Sequence, residues 1–329
     1  MYLGYIHSFR ALAITFIVAG HCIDAFQWSN NDLERALRIV ASNGSTLFVF
    51  IAGYLFQHLL PKYQIKKYFV SKSTNVLLPY FLISIPAIFV FTVIQQRENL
   101  DPGFYDNPLW LQTISFYYTG AHLAPFWFVP MITIFFLISP VLRWLDNFKA
   151  FYLLLPLLII LSCFIDRGLP NQSFLHFFSA YVLGMWCCKY KETLNPVFRK
   201  PVIAAGFAIV ALLLIVIEHQ LSSGTMTYMN YLQKLALSLL FLGLFIRFQG
   251  NAESAFVNTV ANVSFGIFFL HSYVITSGKL IYTYINGALP TGSVLIYLLF
   301  AVCTLLISTA LIVGMQKAFG KRSRMLVGS

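Results

Sequence analysis

About ten long apolar stretches follow one another along this chain, and they leave it one environment in which to fold. They run roughly over 8–28, 40–60, 77–95, 126–144, 150–166, 173–189, 201–219, 230–248, 256–277 and 293–316. Most are near the ~20 residues that a helix needs to cross a ~30 Å hydrocarbon core. Only 10% of the 329 residues are charged and 59% are hydrophobic. A soluble domain carries about 25% charged residues, so this chain has too few to cover a surface facing water. The apolar period is helical or continuous, without the alternation of a membrane barrel. The reading is an all-α polytopic membrane protein of about ten transmembrane helices, a single membrane domain over 1–329 with no soluble domain. The fifth stretch, FYLLLPLLIILSCFI, is short and contains Pro156, which predicts a thin or bent crossing.

The net charge of +11 would point to nucleic acid in a soluble protein. Here it fits the positive-inside bias, with the bilayer as partner and no nucleic acid. With the N-terminus inside, sixteen of the 22 basic residues fall on the inner side. Arg35, Arg38, Arg97, Arg167 and Lys279 fall outside, and Lys234 lies within a span. This sorting predicts both termini in the cytoplasm and an even number of crossings of a plasma membrane, the inner membrane in a bacterium. The 61–76 loop reads as a basic inner-surface stretch. The 96–125 loop, rich in aromatic and turn residues, suits the outer interface. Five cysteines all lie in apolar runs without ligand spacing, so neither a disulfide framework nor a metal site is expected. The first stretch lacks a basic n-region and a small-residue cleavage site, and is expected to remain as a span.

Within that first stretch stand Arg10 and His21, eleven residues apart. At about 100° per residue this is three turns plus roughly 20°, so both share one helix face, about 16 Å apart along the axis. An ionisable residue inside a membrane helix points to function. Asp24, three residues beyond His21, is positioned to orient its ring. Other polar residues have plainer readings. His176 and His58 suit interfacial hydrogen bonding, residues 42–46 suit helix capping, and the loop lysines suit anchoring at anionic lipid. The layout still matches one chemistry: a basic collar that holds phosphates, and a near-neutral imidazole that takes a proton from a hydroxyl nucleophile. Periodicity does not name the cargo.

Four stretches resemble the integral-membrane acyltransferase 3 family. SFRALAITFIVAGH (8–21) is similar to the family's opening helix, with Arg and His at the same spacing. LFVFIAGYLF (47–56) looks like its apolar run ending in a Ser/Ala-Gly-Phe/Tyr-Leu turn. HLAPFWFVPMITIFFLISPVL (122–142) resembles its His-x-x-Trp-Phe helix, and VSFGIFFLHSYV (263–274) its Ser-Tyr-Gly-Ile-Tyr-Leu-Leu-His segment. One departure stands out: where the family has Arg-x-x-Arg before Leu-x-Pro, this chain reads KSTNVLLPYF, with Lys72 and Asn75 at the two Arg positions. Lysine holds a phosphate as a point charge, and asparagine has no charge to offer.

The resemblance implies transfer of an acyl group, acetyl by the family's habit, from cytoplasmic acyl-CoA to a carbohydrate hydroxyl on the far side. Acyl-CoA enters as donor substrate, with no bound cofactor. Its pantetheine arm would thread between helices over a length like the Arg10–His21 separation. On this reading Arg10 and Lys72 hold the nucleotide phosphates, with Lys66 and Lys67 as weaker candidates. His21 is the general base and Asp24 its orienting partner. Asn43, His122, Trp127 and His271 line the acceptor pocket, although Trp127 is equally well read as a packing aromatic. Direct transfer and a covalent acyl-histidine both remain open. Some members carry a fused hydrolase-like domain; this chain shows none, so a single-step transfer is expected, onto a lipid-linked sugar or a growing envelope polysaccharide. The alternative function is a polysaccharide or lipid-linked sugar transporter or flippase, which also places ionisable groups at depth.

Overall fold

A computed structural model of the chain describes residues 3–221, 228–249 and 254–329. Among the described residues there is no strand; Gln27 and Thr291 form one isolated bridge. Among the described residues seven helical stretches are long and apolar enough to cross a bilayer: Gly4–Ala25, Asn31–Lys62, Ile65–Ile94, Pro201–Leu221, Tyr228–Arg247, Ala255–Asn286 and Val294–Val327. Phe128–Leu137 and Ser139–Leu145 meet at a 53° bend and together make an eighth. Pro140, in the first turn after the bend, cannot donate to the preceding turn and so favours the break there.

The other two expected crossings also fold as helices, with different characters. The fifth is split into Lys149–Leu153 and Leu155–Cys163 just before Pro156, and its longer piece rises only about 14 Å. Pro170–Lys189 is 20 residues long but carries Asn171, Gln172 and His176. It packs between Gly44–Leu59, Phe128–Leu137 and Leu155–Cys163. A helix walled in by protein does not need an apolar surface.

Burial follows the same logic. Pro201–Leu221 is the outlier, with 11% of its apolar window buried, against 61% for Gly4–Ala25 and for Ala255–Asn286. The polar helices form the centre of the bundle, and the most apolar ones face outward to lipid.

The tightest junction in the centre joins Gly44–Leu59 to Pro170–Lys189. A Cβ on Gly53 would lie 2.0 Å from the Tyr181 carbonyl oxygen, and one on Gly184 would lie 2.1 Å from that of Phe50. The two glycines let the backbones touch, as small residues do in membrane bundles. Gly53, in the stretch that resembled a family turn, is therefore mid-helix here, and its role is close packing.

Helix ends are conventional. Asn30 accepts from the Leu33 amide at 3.0 Å and starts Asn31–Ala41, an amphipathic helix with Asp32 and Glu34 in its first turn. Ser254 and Ser293 cap the two helices that follow them. The chain after the first helix is tied down by Gln27, whose amide donates to Pro290 and whose carbonyl accepts from Gly292.

Candidate functional site

The first helix, Gly4–Cys22, and the helix Ala255–Asn286 lie side by side and run in the same direction. Arg10 donates from Nη2 to Ser264 Oγ at 2.9 Å. Near the other end, the rings of His21 and His271 have centroids 5.4 Å apart, tilted by 38°. Ser264 and His271 are seven residues apart, two turns on one face. Each member of the Arg10–His21 stripe therefore meets a residue of the neighbouring helix.

A cavity of about 550 Å³ opens at the Arg10 end. Its polar lining includes Arg10, Lys62, Lys67, Lys72 and Asn75, and Phe48, Phe128, Phe136 and Phe265 are among its apolar walls. Lys72 lies on the helix Ile65–Lys72, which runs into a π-helical turn over Ser73–Leu77. That wide turn shifts the register of the side chains on either side of it. Lys72 Nζ sits 4.9 Å from the Phe136 ring centroid and 5.3 Å from that of Tyr68. Arg10, Lys72 and Lys67 are thus brought together. Lys66 is not: it is exposed and does not line the cavity. Lys62, at the start of the basic 61–76 loop, lines the cavity instead.

The cavity ends short of the histidines, since neither His21 nor His271 lines it. Phe268 lies between. Its ring centroid is 5.6 Å from Phe128 and 5.7 Å from Phe265, both in the cavity wall, and 6.3 Å from His271. The expected threading path is closed at this aromatic layer.

His271 is fully buried. Its Nδ1 donates to the Ile267 carbonyl at 2.9 Å, which leaves Nε2 without a proton in the neutral ring. That Nε2 is buried and has no partner. Asn43 is also fully buried; it donates from Nδ2 to the Val40 carbonyl at 2.5 Å, and its Oδ1 has no partner. Thr46 Oγ1, one turn on, is in the same condition. The helices bearing these atoms flank the first helix, and Gly44 abuts Ile17 there. Buried polar atoms without partners are rare and mark places for a ligand or water.

Asp24 and His122 differ from their expected roles, and Trp127 takes the packing one of its two. Asp24 does not hydrogen-bond His21. It is exposed, and its Oδ1 pairs with Arg38 Nη2 at 2.7 Å. Arg38 also holds Glu34, and this surface network draws the carboxylate away from the ring. His122 has neither nitrogen free. Nδ1 donates to the Phe116 carbonyl at 3.0 Å, and Nε2 bonds Ser84 Oγ at 2.8 Å. Burial pushes its pKa down to about 4, against the hydrogen bond to Phe116 and with help from Arg97. It is a neutral pin among aromatic rings. Trp127 stacks on Phe177 at 5.8 Å between centroids, so packing is its visible role.

Trp127 also carries Arg167, whose guanidinium lies 4.9 Å from its ring centroid. Sequence reasoning passed over Arg167, counting it only among the outer basic residues. Burial pushes its pKa down to about 10. Among the described residues no group of three or more His, Cys, Asp and Glu side chains could hold a metal.

A basic, aromatic-walled cavity at one end and a pair of imidazoles at the other, on the same two helices, suits a phosphate-bearing donor and a nucleophilic hydroxyl. A family model described as an acyltransferase domain matches residues 3–313. No curated protein and no solved structure matches the chain.

Proposed function

The chain belongs to the acyltransferase 3 family and is a multi-pass membrane acyltransferase, and on that premise we propose that it moves an acyl group, acetyl first, from cytoplasmic acyl-CoA to a hydroxyl of an envelope carbohydrate. The acceptor is free, polymeric or lipid-linked, and the membrane is the plasma membrane, the inner one in a bacterium. The observation that carries the reading is the pairing of Arg10 with Ser264 and of His21 with His271 along two parallel helices, with the lysine-lined cavity at the Arg10 end.

In this mechanism Arg10, Lys67 and Lys72 hold the phosphates of the donor, and Lys62 sits at the same mouth. Lys72 acts as a point charge, steadied by the faces of Tyr68 and Phe136. Phe268 moves aside to admit the thioester to the histidine level. His21 takes the proton of the acceptor hydroxyl as its oxygen attacks the thioester carbonyl. The tetrahedral intermediate collapses, the C–S bond breaks, and the CoA thiolate leaves with the proton that His21 returns. Products are an ester and free CoA. His271 serves as the orienting neighbour. The bare Nε2 of His271 is not bonded to His21 across the 5.4 Å between ring centroids; the bond forms as the substrate seats, which leaves the other His21 nitrogen for the hydroxyl.

The test uses protein in nanodiscs with labelled acetyl-CoA and a panel of saccharides. His21→Ala should lower transfer by roughly 100-fold or more, within the range of general-base catalysis. Arg10→Ala should raise the KM for acetyl-CoA. Undiminished transfer by a well-folded His21→Ala protein rejects the assignment. Sugar movement across proteoliposomes without acyl turnover favours the transporter.

A further inference from the structure

Arg167 is held as binding residues are held. Its loop, between Leu155–Cys163 and Pro170–Lys189, is pinned on both sides of it. His176 Nδ1 donates to the Ile165 carbonyl at 2.6 Å. Ser173 Oγ donates to the Gly168 carbonyl at 3.1 Å and accepts from its amide at 3.3 Å. Gln172 Oε1 accepts from the Leu169 amide at 3.1 Å. The guanidinium then lies over Trp127. A short loop fixed by three side chains gives an arginine whose position does not depend on its own contacts.

Arg167 has no carboxylate partner. Its Nε is buried without a hydrogen bond. Lys234, only 3% exposed, lies one turn along its helix from Tyr231, whose ring centroid is 4.6 Å from that of His176, the residue that pins the Arg167 loop at Ile165. Two acidic groups are near: Glu218 acts on Lys234, and Asp166 is next in the chain. Neither is within ion-pair distance of a cation. Among the described residues the ion pairs use Arg35, Arg38 and Lys189 only. Glu218 accepts at Oε2 from Asn230 at 3.1 Å, and its Oε1 has no partner. Asp166 is exposed. Arg38, at the same end of the bundle, shows the contrast: it holds two carboxylates at 2.7 Å. Buried cations are ordinarily paired, because an unpaired one loses its hydration without return.

We propose that Arg167 and Lys234 form a subsite for an oxyanion, and that the acceptor is therefore an acidic carbohydrate. Its carboxylate or phosphate is held by these two cations while its hydroxyl reaches His21. The fate of that hydroxyl rests on the transfer reading above; the binding of the anion does not. A sugar-acid carboxylate and a sugar or carrier phosphate share this chemistry.

The experiment compares three glycosides on the full chain in nanodiscs: methyl β-D-glucuronide, glucose 1-phosphate and methyl β-D-glucoside. Binding is read by saturation-transfer NMR without CoA, and acyl transfer is read separately with labelled acetyl-CoA. At least one acidic ligand should bind 10-fold or more tightly than the neutral glucoside, and which one does identifies the source of the anion. Arg167→Gln should bring that preference within twofold, Arg167→Lys should restore part of it, and Lys234→Gln should weaken it independently. Variant folding is checked by thermal unfolding, and Arg167→Lys provides the conservative comparison. No preference for charge, binding of none of the three, or a preference that survives Arg167→Gln overturns the subsite. So does an Arg167→Gln protein that loses turnover equally with all acceptors while binding them unchanged. Acid-selective binding without acyl turnover keeps the subsite and removes the transfer reading. Acyl transfer indifferent to charge does the reverse.

Discussion

His271 commits one ring nitrogen to its own helix and leaves the other bare beside His21. Nothing in the residue order favours it over Asp24, because proximity along one helix is visible in sequence and proximity across two helices is not. Arg10 and His21 were legible, since eleven residues of one helix fix their face. Asp24 shared that face, but sequence does not reveal that Arg38, fourteen residues on, takes its carboxylate at 2.7 Å. The two assignments separate cleanly in an acetyl-transfer assay. Asp24→Asn should keep activity within about twofold, because an exposed ion pair contributes little. His271→Ala should lower it by about 100-fold, as misplacing the general base does. His122 offers a different measurement. The unfolded ring takes a proton near 6.5 and the folded one only near 4. Between these values the unfolded chain binds more protons, so stability is full above pH 6.5 and falls as the pH drops towards 4. At 1.36 kcal/mol per pH unit the loss comes to about 3 kcal/mol. Thermal unfolding in nanodiscs across that range should show a slope for the native protein that His122→Asn reduces.

Helices that lie against lipid announce themselves in sequence, and helices that lie against protein do so less. Pro201–Leu221, scarcely buried, reads as a span at a glance. Pro170–Lys189 reads weakly because its neighbours satisfy its polar residues, yet it is the partner of the closest contact in the bundle. Asn31–Ala41 escaped attention altogether. It is only 11 residues long, and its signals, Asn30 followed by acidic residues in the first turn, are those of an ordinary surface helix. Packing makes its own prediction. Gly53→Ala places a Cβ 2.0 Å from the Tyr181 carbonyl oxygen, and two rigid helix backbones have little room to yield. The cost should be about 1–3 kcal/mol, typical of overpacking, and visible as a lower unfolding temperature. Gly206→Ala on the lipid-facing helix is the control. Nothing lies within 4 Å of its added Cβ, and removing a mid-helix glycine should leave stability unchanged or raise it by up to about 1 kcal/mol.

At the scale of the molecule, the two chemical ends are held apart by Phe268 and joined by two helices, so the side on which each end lies decides what can reach it. The lysines cluster at the Arg10 end, as a cytoplasmic face requires, while Asn31–Ala41 and the pinned Arg167 loop stand at the His21 end. A nucleotide donor is confined to the cytoplasm, so the reading fails if the cavity opens the other way. Two exposed positions report the sides without touching the site: Ser29, before the amphipathic helix, and Lys66, outside the cavity lining. The native cysteines give a low background, since Cys22, Cys187 and Cys188 are buried, and the unsubstituted protein measures whatever Cys163 and Cys303 contribute. In intact cells a membrane-impermeant maleimide should label Ser29→Cys. Lys66→Cys should react only after permeabilisation. The opposite pattern would place the lysine cavity outside, beyond reach of acyl-CoA. Labelling of both from one side would mean that the helix Gly44–Leu59 does not cross, and the donor and acceptor would then have to meet on a single face.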